Sequence, residues 1–247
     1  MATTTETGIN TYVKNFNELI GICNTFGPSY KPQNARFAIT ALQEQSAHIR
    51  DSINDVDFYI SAMIVAEGAR QDVFALLHPV ATRVLAAAVS LELPGAAVVH
   101  VREIVRKIRG NRAKPIPPVP PVNGDEPHKY ISVSQVSFDE QIEHLNQLIN
   151  VVMLQTKYTP AEHDITVDGL NELRDAMGVA NDAAKSATRD LAESRERRNE
   201  LLYTPTTGMM DTGILVKEYV KSAYGLKSPQ YKEVKGIRFA NKKPKNI

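Results

Sequence analysis

YKPQNARFAITAL, residues 30–42, and YTPAEHDITVDGL, residues 158–170, carry the same local pattern. In each stretch a proline follows the tyrosine by two residues, and a leucine follows that proline by ten. Each also leads into a long run in which apolar residues recur every three or four positions, which is the period of an amphipathic α-helix. A turn followed by a long helix is therefore predicted twice, at a spacing of 128 residues.

Helical periodicity dominates the rest of the chain as well. The two long patterns run over residues 33–77 and 166–203, and we expect them to end at Pro79 and Pro205, because proline cannot continue the helical hydrogen-bond ladder. Ser137 is followed three residues later by a glutamate, which is the spacing of a capping box at a helix start. Shorter helices are predicted over residues 11–24, 81–91, 96–109, 138–155 and 211–224.

Two further matches occur in the same order along the chain. VREIVRKIRG (residues 101–110) matches VKEYVKSAYG (residues 216–225) at a shift of 115. The apolar stripes of the first helices align at a shift of 126, and the shift of 128 pairs Arg70 with Arg198. We expect these two arginines to reach out of a bundle end or to pair with an acid there. Heptad-like helices resemble one another in general, which is the alternative interpretation, but three matches in one order favour a tandem duplication.

These patterns predict an all-α protein: an elongated, mostly antiparallel helical bundle built from two duplicated helical units with two long central helices. KPIPPVPPVNGDEP (residues 114–127) is predicted to be a semi-rigid connector, because proline fixes its backbone angle and lacks the amide donor. The predicted organisation is a helical repeat 1 over residues 1–113, a proline-rich linker over 114–130, a helical repeat 2 over 131–225 and a basic C-terminal tail over 226–247.

The composition is typical of a soluble globular protein, with 43% hydrophobic and 23% charged residues. Cys23 is the single cysteine, so the sequence excludes an internal disulfide, and its place on an apolar stripe predicts a buried structural thiol. The first residues, MATTTETGINTYVKNF, lack the basic-then-apolar layout of a secretory signal. We expect a cytoplasmic protein, with export by another route as the alternative.

The sequence contains no recognisable catalytic motif. It has no P-loop, no dinucleotide-binding glycine pattern and no nucleophile-elbow serine. None of the six histidines follows a glutamate by three residues, the spacing that di-iron bundles use. Glu44 with His48, and Glu140 with His144, are spaced by four, and we expect both to be exposed surface pairs. We therefore predict no enzyme activity, no metal and no cofactor.

Basic residues concentrate in two places, although the formal net charge is only +1. Residues 102–114 hold six basic residues and one acid, residues 226–247 hold seven and one, and the remainder is acidic. We expect these basic ends to dock the acidic surface of a second copy or of another protein. The candidate partner- or anion-binding residues are Arg102, Arg106, Lys107, Arg109, Arg112, Lys217, Lys221, Lys227, Lys232, Lys235, Arg238, Lys242 and Lys243.

Two other functions fit parts of the sequence. Tyr219, Tyr224, Tyr231 and Phe239 are interspersed with the second group of basic residues, a combination that can bind nucleic acid, although the pI of about 7.8 is low for that class. The most apolar region covers residues 73–99, and a long-helix bundle with such a segment resembles the plan of helical pore-forming toxins. The prolines and charged residues that interrupt this region favour ordinary core packing instead.

KEYVKSAYGLKSPQYKEVKGIRF (residues 217–239), with the YTP turn and the duplicated helices, resembles uncharacterised tandem-repeat helical proteins of Bacteroidetes-type bacteria. That group has no assigned activity, so the resemblance implies a helical fold and no catalytic or binding residue. The leading hypothesis is a non-enzymatic structural or interaction protein, a helical scaffold that self-associates or docks a partner through its basic ends.

Overall fold

The structure is a computed structural model that describes residues 4–110 and 137–239. Within these two ranges the regular structure is helical and contains no strand, which confirms the predicted all-α class. The α-helices are α1 (Thr4–Thr25), α2 (Ile39–Ala75), α3 (Leu77–Ser90), α4 (Gly95–Ile108), α5 (Phe138–Met153), α6 (Val167–Tyr203), α7 (Met209–Tyr224) and α8 (Pro229–Lys235). Short 3-10 turns, Ala35–Phe37 and His163–Ile165, precede the two long helices.

Two helix starts use the side-chain signals that the sequence provides. Ser137 and Glu140 form the predicted capping box at α5: the Ser137 Oγ accepts from the Glu140 amide at 3.2 Å, and the Glu140 carboxylate accepts from the Ser137 amide at 3.1 Å. Ser228 caps α8, with Pro229 in the first helical position. The prediction did not include α8, which lies within the segment expected to be a basic tail.

The first long helix ends close to the predicted limit at residue 77, but Pro79 lies inside the next helix and not beyond a helix end. α2 ends at Ala75, where the amide of Leu76 turns back to the carbonyl of Val73 at 3.2 Å, and α3 begins one residue later. Pro79 therefore lies in the first turn of α3, where a missing amide has no intrahelical acceptor to lose. The second long helix, α6, ends at Tyr203 as expected.

The chain forms two compact units, and each of them contains segments from both halves of the sequence. The first unit combines residues up to Met63 with residues from Ala187 onward; the second unit is the segment Ile64–Ser186. α2 and α6 each contribute one part to each unit. The first unit also holds α1, α7 and α8, and the second unit holds α3, α4 and α5. The units therefore do not coincide with repeats 1 and 2.

Each unit has its own hydrophobic core. Fully buried valine, leucine, isoleucine, phenylalanine or methionine side chains each contribute roughly 1.5–3 kcal/mol to stability. In the first unit the largest of them lie on α1, α2 and α6, with smaller valines on α7: Phe16, Leu19, Leu42, Ile49, Leu202, Val216 and Val220. In the second unit they lie on α3 to α6: Leu77, Val84, Ile104, Ile108, Leu145, Leu148, Leu170 and Met177.

Each of these two 3-10 turns accepts an equivalent hydrogen bond from a buried tyrosine. The buried Tyr30 donates its hydroxyl to the carbonyl of Phe37 at 2.9 Å in the first unit. The buried Tyr158 donates its hydroxyl to the carbonyl of Ile165 at 2.7 Å in the second unit. Burial raises the pKa of both phenols, that of Tyr158 to about 12. In both places the tyrosine thus holds the turn that leads into a long helix.

Candidate functional site

The first group of predicted basic residues lies in the second unit, on and just after α4. This helix turns Val101 and Val105 into the core. Arg102 is exposed, whereas Arg106 and Lys107 are half-buried. The exposed Arg109 donates to the Thr82 hydroxyl of α3 at 2.7 Å and so fixes the end of α4. Other basic residues predicted here or in the tail, Arg112, Lys242 and Lys243, lie outside the described residues.

The second group lies in the first unit, and two of its members have structural contacts. Lys217 of α7 donates to the carbonyls of Lys235 at 3.0 Å and Ile237 at 2.5 Å, and burial lowers its pKa. Lys221 pairs with Glu218 one turn earlier at 3.0 Å, which raises the pKa of the lysine. These two lysines therefore have protein partners of their own.

The other members of the second group point outward. Lys227 lies between α7 and α8, two lysines lie on α8, and Arg238 follows it; all are exposed. We refer to these residues as the basic segment: Lys227, Lys232, Lys235 and Arg238. The two predicted groups thus belong to different units, so neither unit contains the whole predicted set.

The basic segment is anchored at its end by the chain that follows α8. Asn15 of α1 donates to the carbonyl of Arg238 at 2.9 Å. The Phe239 ring stacks edge-on to Phe16 with 6.3 Å between ring centroids, and it lies directly against Gly213 of α7. The other aromatic residues of this region also pack against the core of the first unit: Tyr219, Tyr224 and Tyr231. All these rings therefore have packing partners within the protein.

An exposed acidic stripe, which the sequence prediction did not include, runs along α2 in the first unit. Its members follow one another by four or three residues, which places them on one helix face, and all are exposed: Glu44, His48, Asp51, Asp55 and Phe58. Phe58 is 67% exposed, which is unusual for a large aromatic side chain. The spacing i, i+4, i+7 was visible in the sequence, but it marks an exposed face only once the buried face of α2 is known.

The titratable candidates for metal or nucleophilic chemistry fall into three environments. Cys23 is fully buried, which confirms its predicted burial, and burial raises its pKa to about 11. Glu44 and His48 are exposed, as predicted. The prediction of an exposed pair was wrong for His144, which is 5% exposed. Within the described residues no cluster of three or more His, Cys, Asp or Glu side chains could hold a metal ion.

The sequence suggested that Arg70 and Arg198 extend from the end of a bundle. In the structure each of them packs within its own unit. In the second unit the Arg70 guanidinium lies 3.9 Å from the centroid of the Phe138 ring, an arrangement that favours a cation over an aromatic face. In the first unit Arg198 is only 2% exposed and donates to Asn199 at 3.2 Å. Packing against other helices, which periodicity along one helix does not reveal, explains the difference.

The apolar region over residues 73–99 belongs to α3, α4 and the adjoining chain of the second unit. Several of its side chains are core residues, including Val80 and Val84. One helical stretch of the described chain, Ile39–Ser90, is long and apolar enough to cross a membrane by length and composition. A third of its apolar window is buried.

Comparison of the chain with protein-family models, with curated proteins and with solved structures finds no significant similarity.

Proposed function

We propose that this chain is a non-enzymatic helical scaffold, built from a duplicated helical unit, that associates with a second copy of itself. The duplication is supported by the two tyrosine-anchored turns. Tyr30 and Tyr158 make the same hydrogen bond to a carbonyl seven residues later. The long helices that follow, α2 and α6, both contain 37 residues and begin 128 residues apart.

Charge complementarity within the first unit is the observation that carries the self-association. The basic segment offers four exposed cations on one short stretch, and the acidic stripe offers three carboxylates on an exposed helix face. A basic segment from one copy can therefore meet an acidic stripe of the next. Exposed ion pairs contribute only about 0.2–1 kcal/mol each, so several must act together. Phe58 adds exposed apolar area at the end of the acidic stripe, next to Asp55.

Charge reversal tests this association. We expect the wild-type chain to form a dimer or larger species at low ionic strength, measured by size-exclusion chromatography with light scattering. The double variant Lys232→Glu/Lys235→Glu should be monomeric, and Asp51→Lys/Asp55→Lys should be monomeric too. A mixture of the two variants should associate again, because the reversed surfaces are complementary to each other. Association should also weaken as the salt concentration rises, because salt screens the attraction between exposed charges; the Debye length is about 10 Å at 0.1 M.

A matched control has the same change of charge elsewhere in the same unit. Lys14 and Lys31 are exposed and lie outside both surfaces, so Lys14→Glu/Lys31→Glu should associate like the wild type. A wild-type chain that remains monomeric at high concentration and low salt would overturn the proposal. Equal loss of association in the control variant would show that net charge, and not the two surfaces, is responsible.

A membrane-active protein is the second candidate, and the exposed part of Ile39–Ser90 favours it. Val89 of α3 is exposed, so Val89→Asp adds a charge to this apolar region without burying it. If the stretch enters membranes, the wild-type chain should release dye from anionic vesicles and Val89→Asp should release far less. Vesicles that stay intact with the wild-type chain would exclude this candidate.

A further inference from the structure

His144 occupies a position in the second unit where its buried imidazole makes no well-formed hydrogen bond to the described residues. It lies on α5, the helix that contacts α4 and α3. Both ring nitrogens are shielded from solvent, and neither has a hydrogen-bond partner among the described residues. Gln147 lies one turn further along, but its amide nitrogen donates to the Glu143 carboxylate at 3.2 Å. A neutral imidazole in this place is already destabilising, because buried polar groups are normally paired.

The charges that influence the His144 ring lie on α4 and α5. Lys107 of α4 opposes a positive charge on the ring, whereas Glu140, the nearby Gln147 side chain and Glu143, all on α5, favour one. α3 contributes two titratable residues, His78 and Arg83, and both are exposed. Arg83 is in addition paired with Asp164. Burial is the largest influence, followed by Lys107, and together they lower the pKa of His144 below its ordinary value of 6.5.

We propose that His144 makes the packing of α4 against α5 acid-sensitive, with the imidazole neutral in the folded second unit and its protonation loosening the contact between the two helices. A charged imidazole there would be shielded from water and would face Lys107, and Glu140, Gln147 and Glu143 offset only part of that cost. Because both ring nitrogens are shielded from solvent in the folded unit, hydration of a charged ring requires the packing around it to open. The device would thus respond to acidification through the second unit, independently of the self-association proposed for the first.

The direction of the pH effect follows from proton linkage. Above the pKa of about 6.5 that histidine has in an unfolded chain, the residue is neutral in both states and favours neither. Below it, the unfolded chain binds a proton that the folded unit does not bind, so stability falls as the pH falls. At pH 5.0 this single residue would lower the folding equilibrium constant by as much as about thirty-fold.

Urea unfolding of the full chain at pH 7.5 and pH 5.0 tests the proposal. Two variants remove the titration in different ways: His144→Leu fills the site with apolar volume, and His144→Gln keeps a polar but uncharged side chain. Both should lose much less stability than the wild type on acidification, because carboxylates titrate alike in all three proteins. The exposed His100 of α4 provides the matched control, and His100→Leu should retain the wild-type pH dependence.

A local measurement keeps the proposal testable if one variant folds poorly. Hydrogen exchange of the wild-type chain at pH 5.0, corrected for the intrinsic effect of pH, should show lost protection in α4 and α5 but not in α1 and α7. The proposal is overturned if His144→Gln loses as much stability as the wild type on acidification. Nuclear magnetic resonance titration of a folded His144 ring at an ordinary pKa would overturn it as well.

Discussion

At the scale of single residues, Gly213 shows how one missing methyl group admits an aromatic ring. A Cβ at this position would lie 2.7 Å from the Phe239 ring, closer than van der Waals contact allows. We expect Gly213→Ala to displace the ring from Phe16 and to destabilise the first unit by about 1 kcal/mol. In a Phe239→Ala background the same change should instead stabilise by about 0.5–1 kcal/mol, because alanine favours helix. Urea unfolding of both single variants and the double variant measures this reversal of sign.

Gly178 of α6 is the control for that prediction. It also lies within a helix, but a Cβ there would meet no atom within 4 Å. Gly178→Ala should therefore be stabilising in both backgrounds. If Gly213→Ala stabilises the wild-type chain as much as Gly178→Ala does, Phe239 does not occupy the space beside the glycine.

The residue scale is also where the sequence predicted some environments and not others. Cys23 and the Ser137–Glu140 capping box were predicted correctly, because an apolar stripe and a capping motif are local signals. The burial of His144 was not predicted. It lies beside Leu145 on the edge of the apolar stripe of α5, and whether that edge is covered depends on α4, which is distant in sequence. Spacing within a helix identifies a face but not the helix that meets it.

At the scale of elements, the tyrosine-anchored turns allow a paired prediction. Tyr30→Phe and Tyr158→Phe each remove a hydroxyl and leave a carbonyl without its buried donor. Each should cost about 1–2 kcal/mol, and the two costs should be similar, since both turns lead into a long helix in the same way. Thermal and urea unfolding measure them. Among the described residues Tyr59 makes no such bond to a turn, and Tyr59→Phe should have little effect. Costs that differ by several kcal/mol would contradict equivalent turns.

Most helices could be predicted because their periodic patterns are long. Starts and ends were close for α4, α5 and α6, where capping residues or glycine and proline mark the limits. α8 was not predicted, because seven residues make only two turns and show no clear period, although Ser228 followed by Pro229 was a usable start signal. Pro79 was misleading for a different reason: proline is tolerated in the first turn of a helix, so it lies inside α3 and does not mark a helix end.

At the scale of the whole molecule, the sequence indicated two repeats but not how their helices are combined. The core of the first unit includes residues from α1 and α7, and the core of the second includes residues from α4 and α5. Each core therefore contains the first helix of one predicted repeat and the last helix described within the other predicted repeat. Periodicity could not reveal this arrangement, because the predicted repeats have similar apolar stripes and a helix from either one would cover them.

This arrangement leads to a prediction about cleavage between the repeats. A specific protease site inserted between Pro120 and Pro121 would divide the chain into a fragment with α1 to α4 and a fragment with α5 to α8. Separation of the fragments would expose both cores, since each core needs side chains from both fragments. We therefore expect the cleaved fragments to co-elute in native size-exclusion chromatography and to separate only in urea. Their circular dichroism should match that of the uncut chain. Independent elution of two folded fragments under native conditions would mean that each repeat completes its own core.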